Sequence, residues 1–153
     1  MNMPINPPDP KISFEDWVAI HQLIGRYVDA VDRHDPELWG ACWASEIVMN
    51  DGTTQSREQL IENVLKLWGN RNPAQPFRHW MTNLLFLEYT PERARMRTGV
   101  AWAQFEDGQF RILNHLGYDD ILIVEDGVWR YQQRRMIPYQ RVVNALPADQ
   151  GGY

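Results

Sequence analysis

Residues 77–138 read FRHWMTNLLFLEYTPERARMRTGVAWAQFEDGQFRILNHLGYDDILIVEDGVWRYQQRRMIP. Here the hydrophobic period is two residues, the mark of extended strands whose side chains alternate between faces. Thr90-Pro91-Glu92, Asp107-Gly108 and Asp126-Gly127 interrupt the stretch. The two Asp-Gly pairs suit hairpin turns, which need positive φ at their central residues. The spacing predicts four strands over about 78–89, 93–106, 109–124 and 128–138, joined as an antiparallel meander.

Upstream the period is helical. Ser13 is placed as an N-cap with Asp16 three residues on, and Trp17, Ile20, Ile24, Tyr27, Val28 and Val31 form one apolar face to about residue 32. His34-Asp35-Pro36 breaks this helix. Asp35 then caps a second, short one with Pro36 in its first turn, carrying Leu38, Trp39, Cys42 and Trp43. Glu46 to Asn50 reads as a short strand ended by Asp51-Gly52. Ser56-Arg57-Glu58-Gln59 has the form of a capping box and opens a third helix, with Leu60, Ile61, Val64, Leu65 and Trp68 inward and Gly69 at its end. Asn70 to Pro76 reads as a loop. Helices first and a long meander after them predict an α+β fold, with the helices packed on one face of a curved antiparallel sheet. The division is an extended Pro-rich arm over residues 1–12, one domain over 13–140 and a C-terminal tail over 141–153.

Composition bounds the function. With 153 residues and 44% hydrophobic content the chain can build one core but hardly two. The net charge of −5, with no Lys/Arg stripe to compensate, argues against a nucleic-acid partner. No apolar run approaches the ~20 residues of a membrane span, and the start has neither the pattern of a signal peptide nor that of an anchor. The single cysteine, Cys42, excludes an internal disulfide framework and suits a cytoplasmic location. Seven tryptophans point either to a crowded core or to a pocket for a flat apolar ligand.

Several chemistries lack their residues. No G-x-G-x-x-G, P-loop, G-x-S-x-G, H-x-H, H-E-x-x-H or paired-cysteine spacing occurs, so neither a cofactor nor a metal is expected. Acid–base chemistry by His, Asp, Tyr and Arg remains. Asp32 ends the apolar stripe of the first helix, where a carboxylate is costly to bury without a partner. His79 begins a strand on which alternation places Met81, Asn83, Leu85, Leu87 and Tyr89 on the same face. Tyr118 and Asp120 share a face with Phe110, Ile112, Asn114, Leu116 and Leu122 by the same rule. Tyr27 can bring a phenol near Asp32, and Trp102 follows an inward alternation. His21 reads as structural and His34 as exposed. Arg97, Arg134 and Arg135 are expected to decorate the outer face of the sheet.

Three segments in order, RYVDAVDRHDPELW (26–39), FRHWMTNLLF (77–86) and GYDDILIVEDGVWRYQQRRM (117–136), resemble the SnoaL-like branch of the nuclear transport factor 2 (NTF2-like) superfamily. The resemblance covers roughly residues 13 to 138. It implies a cone, a curved sheet wrapped around helices with a pocket at the wide end. The chain is most similar to the branch holding scytalone dehydratase, hexachlorocyclohexane dehydrochlorinase and bile-acid dehydratase. There an Asp at the end of the first helix orients a His at a strand start, and the His abstracts a carbon-bound proton. Asp32 and His79 fall on those positions. Two departures stand out: Val31 replaces the tyrosine that precedes the Asp in scytalone dehydratase, and no second pocket histidine is matched. The acid for a leaving group is therefore open between Tyr27, Tyr118 and Asn114.

The resemblance thus implies a cofactor-independent lyase or isomerase, of the dehydratase or elimination type. Its substrate would be a small apolar molecule, aromatic or polycyclic, with His79 and Asp32 catalytic and Tyr27, Asn83, Tyr118, Asn114 and Trp102 lining the substrate site. The alternative from the same superfamily is a non-catalytic small subunit, like the β subunits of ring-hydroxylating dioxygenases, or a ligand-binding protein. Epoxide hydrolysis through an Asp–Arg–Asp arrangement needs an inward arginine, and alternation supplies none. Open sheet faces of this kind suggest a homodimer or homotrimer, with Trp80, Phe86, Trp129 and Tyr131 available for the interface.

Overall fold

The computed structural model describes residues 9–70 and 77–138, so the expectations for most of the N-terminal arm, most of the 70–76 loop and the C-terminal tail lie outside the described residues. Helix α1 (Phe14–Arg33) begins where Ser13 Oγ accepts the Asp16 N–H at 3.1 Å and ends at His34, whose φ of 56° turns the chain out of the helix. Asp35 caps α2 (Pro36–Ala41) by accepting the Leu38 N–H at 2.9 Å. Helix α3 (Arg57–Gly69) opens with the expected capping box, Ser56 and Gln59 bonding each other's backbone N–H. A Cβ on Gly40 would stand 2.5 Å from Ile61 Cδ1, so that glycine lets α2 and α3 approach closely.

Between α2 and α3 lies a hairpin of β1 (Glu46–Val48) and β2 (Thr54–Ser56). Its second strand was not expected. Three residues between a turn and a helix cap are too few to show alternation. The meander follows the expected spans closely as β3 (Phe77–Thr90), β4 (Arg93–Glu106), β5 (Gln109–Glu125) and β6 (Val128–Pro138), in the order β3-β4-β5-β6, all antiparallel. Both Asp-Gly turns take positive φ at both residues, 50° and 76° at Asp107-Gly108 and 52° and 73° at Asp126-Gly127.

Bulges are what simple alternation missed. The register shifts between Thr82 and Leu85, where Asn83 has φ 51°, and again between Phe86 and Glu88. The first extra residue inverts the faces of β3 and the second restores them, so Tyr89 keeps the inward face expected for it. Met81 and His79 point inward, but Leu84, Phe86 and Tyr89 continue the core while Asn83 and Leu85 are exposed. A shift at Leu113 likewise puts Phe110 and Ile112 on the opposite face from Asn114, Leu116, Tyr118 and Asp120. On β6 an extra residue at Gln132 lets Trp129, Tyr131 and Arg134 all face inward.

The core lies between the helices and the inner sheet face, around Ile20, Leu23, Tyr27, Met96, Leu122 and Tyr131. Trp39, Trp43, Trp68 and Trp129 are buried in it. Trp17 is not: it is 42% exposed and lies against the His21 imidazole at a ring-centroid distance of 3.9 Å. Of the four residues suggested for an interface, Trp129 and Tyr131 are core and Phe86 packs against it, whereas Trp80 stays exposed beside Phe110. No helix among the described residues is long and apolar enough to cross a membrane.

Candidate active site

Asp32 occupies the last turn of α1, at the negative end of the helix dipole, where a carboxylate does nothing for the helix. Its compensation comes from the sheet. Strand β3 is an edge strand, and its His79 turns a backbone N–H away from β4 toward α1. Asp32 accepts that N–H at 3.1 and 3.2 Å through its two oxygens, and Oδ1 also accepts the imidazole Nδ1–H at 2.8 Å. A carboxylate only accepts, so the hydrogen sits on Nδ1 and the lone pair is left on Nε2. Both side chains are at least nine-tenths buried.

His79 forms part of the wall of a cavity of about 340 Å³ between the inner sheet face, α1, α2 and α3. Asp32 does not line it. The carboxylate borders a separate groove with Ile24, Val28, Arg78 and Met81, so the imidazole stands between Asp32 and the cavity. Val31, Trp39, Ile47, Leu60, Val64 and Trp68 supply much of the apolar part of its lining. Phe77 and Trp102 set their rings edgewise to His79, at centroid distances of 5.2 and 5.9 Å, which fixes its plane.

Three of the expected lining residues are present. Tyr27, Trp102 and Tyr118 all border the cavity, and Trp102 Nε1–H donates to the Tyr118 hydroxyl at 3.3 Å. Burial pushes the Tyr118 phenol up to about 12, so it is a proton donor at any physiological pH. Asn83 and Asn114 are corrections. Asn83 sits exposed in the β3 bulge, and Asn114, although paired with Trp102, lies in the exposed first half of β5; neither borders the cavity. Asn114 is thereby removed from the candidates for the leaving-group acid.

Arg134 is the residue that alternation misplaced. Arg97 and Arg135 do lie on the outer face, around Asp119, but Arg134 turns inward and lines the cavity with its side chain 7% exposed. Its Nε and Nη2 donate to the two oxygens of Asp120, each at 2.8 Å. The guanidinium carbon lies over three tyrosine rings, 3.9 Å from the centroid of Tyr118, 4.2 Å from Tyr27 and 4.4 Å from Tyr131. Burial would favour loss of its proton, yet the Asp120 carboxylate outweighs this and holds the guanidinium charged. A sequence signal existed: neighbouring Asp119 and Asp120 face opposite ways, so the inward one requires a buried cation. The inward arginine of an Asp–Arg–Asp arrangement is therefore present with Asp120 as its partner, whereas the neighbouring Asp119 faces outward to Arg95. His21 bonds the Trp17 carbonyl at 2.8 Å, as a structural histidine does. The exposed His34 ring stacks on Trp68.

Residues 13–135 match the family model described as a SnoaL-like domain. Among solved structures, the chain is similar to a variant of Rv3472 from Mycobacterium tuberculosis, described as of unknown function, at 24% identity and a TM-score of 0.70 over 92% of this chain and 84% of that one. It is similar to Aln2 from a Streptomyces species at 20% identity and a TM-score of 0.74 over 88% and 99%. A candidate scytalone dehydratase of Novosphingobium aromaticivorans matches at 17% identity and a TM-score of 0.63 over 80% and 83%. At these identities the likeness is one of fold. No curated protein matches in sequence.

Proposed function

The chain belongs to the SnoaL-like domain family of the NTF2-like superfamily, and on that premise we propose that it is an acid–base lyase or isomerase acting on a small apolar ring compound. The observation that carries this reading is the 2.8 Å contact between Asp32 and the Nδ1 of an imidazole bordering a largely apolar cavity. A carrier or a subunit needs no carboxylate-oriented histidine there. His79 Nε2 takes the proton from carbon, and Asp32 fixes the tautomer and stabilises the imidazolium that forms. In elimination the C–H electron pair becomes the new double bond as the bond to a leaving group on the next carbon breaks with its pair. In isomerisation it becomes the new double bond as a neighbouring π bond shifts, and the far end of that π system takes up a proton. Tyr118 and Tyr27 are the phenols placed to protonate a departing oxygen, and the Arg134 charge faces the same space.

The test uses a panel of one- and two-ring ketones and β-hydroxy ketones in D2O, followed by NMR for loss of water and for deuterium at the activated carbon. Exchange or elimination well above the buffer rate, lost in His79→Ala, is expected. Rates at the buffer level throughout the panel, or wild-type rates in His79→Ala, would overturn the reading.

A further inference from the structure

The outer face of the sheet carries a depression of about 240 Å³ that the acid–base reading does not use. Ile121 forms its floor, and Arg93, Arg95 and Arg135 stand around it with the amides of Asn50 and Gln133. Register explains the grouping. Arg95 pairs with Ile121 and Ile121 with Gln133, while Asp119 pairs with both Arg97 and Arg135, and residues paired across strands share a face. Two carboxylates also stand in the wall, and arginines already hold both. Asp119, its side chain 4% exposed, accepts Arg95 Nε and Nη2 at 2.9 Å and Arg135 Nη2 at 3.1 Å, with Arg97 at 3.3 Å beyond the rim. Glu88 accepts Arg93 Nη1 at 3.1 Å and lies 3.7 Å from Arg95 Nη1.

Four arginines thus meet two carboxylates, a surplus of two positive charges on the surface of a chain whose net charge is −5. Arg93 Nε and Nη2 and Arg135 Nε and Nη1 make no hydrogen bond among the described residues. Guanidiniums gathered at one buried carboxylate repel one another and attract a counter-anion. Charge and shape decide which anion fits. A single carboxylate would leave half of the surplus, whereas a dianion closes it. A phosphoryl group also offers three terminal oxygens, and guanidinium forks match them in pairs. The Arg93–Glu88 contact joins two side chains that are both about half exposed, so it is weak and yields to a ligand. We propose that this depression binds a phosphoryl dianion, gripped by Arg93 and Arg135 with Arg95 behind them and the Asn50 and Gln133 amides as neutral donors. The site lies on the opposite face of the sheet from His79 and does not depend on its chemistry. Free phosphate and a phosphate monoester share this group, and the choice of probes separates them.

Inorganic phosphate, phenyl phosphate and acetate are titrated into the full chain by calorimetry at about pH 8 in about 0.15 M sodium chloride, which screens non-specific attraction. Phosphorus NMR line widths are recorded alongside. Both phosphates should bind with dissociation constants of about 1 mM or tighter, and acetate at least about tenfold more weakly. At about pH 5, where each phosphate carries one charge, binding should fall about 3- to 10-fold. Arg93→Gln and Arg135→Gln should each weaken both phosphates about 3- to 10-fold. If Arg135→Gln fails to fold, Arg93→Gln carries the test. Arg111→Gln, which removes the same charge near the β4–β5 turn, should change nothing, and nor should His79→Ala. Tighter binding of phenyl phosphate assigns the site to an ester, and the reverse order assigns it to free phosphate. No phosphate binding below about 20 mM, acetate as tight as phosphate, or binding indifferent to pH would overturn the proposal. So would unchanged binding in Arg93→Gln, or an equal loss in Arg111→Gln or His79→Ala.

Discussion

Asp32 holds His79 by two different groups, accepting the ring Nδ1–H at 2.8 Å and the backbone N–H at 3.1 Å. One carboxylate therefore fixes the tautomer, the ring orientation and the position of the strand that carries the ring. His79→Ala and Asp32→Asn are expected to lower turnover by about 10²–10⁴-fold, the usual contribution of a positioned base. The two should differ in stability. Asparagine can still accept the backbone N–H, so Asp32→Asn should melt close to the wild type in a thermal scan. Asn83→Ala and Asn114→Ala, outside the cavity, should turn over within about twofold of the wild type.

Tyr118 is kept protonated by burial, and this fixes the sign of an alkaline effect. Its folded pKa of about 12 lies above the ordinary value of 10.0, so folding favours the phenol over the phenolate. The stabilisation is complete below pH 10 and is lost as pH rises toward 12. Tyr118→Phe should flatten the alkaline limb of a denaturation profile in that window. Removing the hydroxyl that Trp102 bonds should also slow turnover by up to roughly tenfold if it acts as the acid.

The buried Arg134–Asp120 pair is expected to be expensive to break and cheap to replace. Arg134→Met leaves a buried carboxylate unpaired and should cost about 3–5 kcal/mol in urea denaturation. The double variant Arg134→Met with Asp120→Leu should recover most of that loss while remaining catalytically impaired. Additive losses would show that the two side chains do not act as one unit.

On the outer face, Asp119 takes hydrogen bonds from Arg95, Arg97 and Arg135, and the Arg95 contact does most to lower its carboxyl to about 2 from 3.8. A lowered carboxyl contributes stability above its unfolded pKa, and that stability disappears as pH falls from about 4 toward 2. Asp119→Asn should therefore lower the melting temperature at about pH 6 and weaken its dependence on pH across the acid window. The cavity chemistry should be unchanged.

Cys42 is 1% exposed, donates its thiol hydrogen to the Leu38 carbonyl, and has its pKa pushed up to about 11 by burial. Iodoacetamide at about pH 8 should leave the native protein unmodified over hours and label it fully in denaturant. Rapid native labelling would mean that the α2 region opens locally.

Periodicity and turn chemistry were sufficient for the architecture. Helical spacing, three N-caps and two Asp-Gly turns are local properties, set by backbone sterics within a few residues, so the α+β order was legible before folding. Asp32 and His79 were legible too, through a resemblance carried by their flanking motifs. Their contact spans 47 positions of sequence and exists only because α1 crosses the free edge of β3. The bulges were decided by tertiary structure. An inserted residue at Asn83, Leu113 or Gln132 leaves no composition signal, because it is stabilised by what the flanking strands must bury rather than by its own type. Those three residues sent Asn83 to solvent, reversed the face of Phe110 and Ile112, and turned Arg134 into the cavity. The seven tryptophans show the same division: their abundance is a fact of sequence, whereas the burial of Trp43 beside the cavity follows from the packing around it.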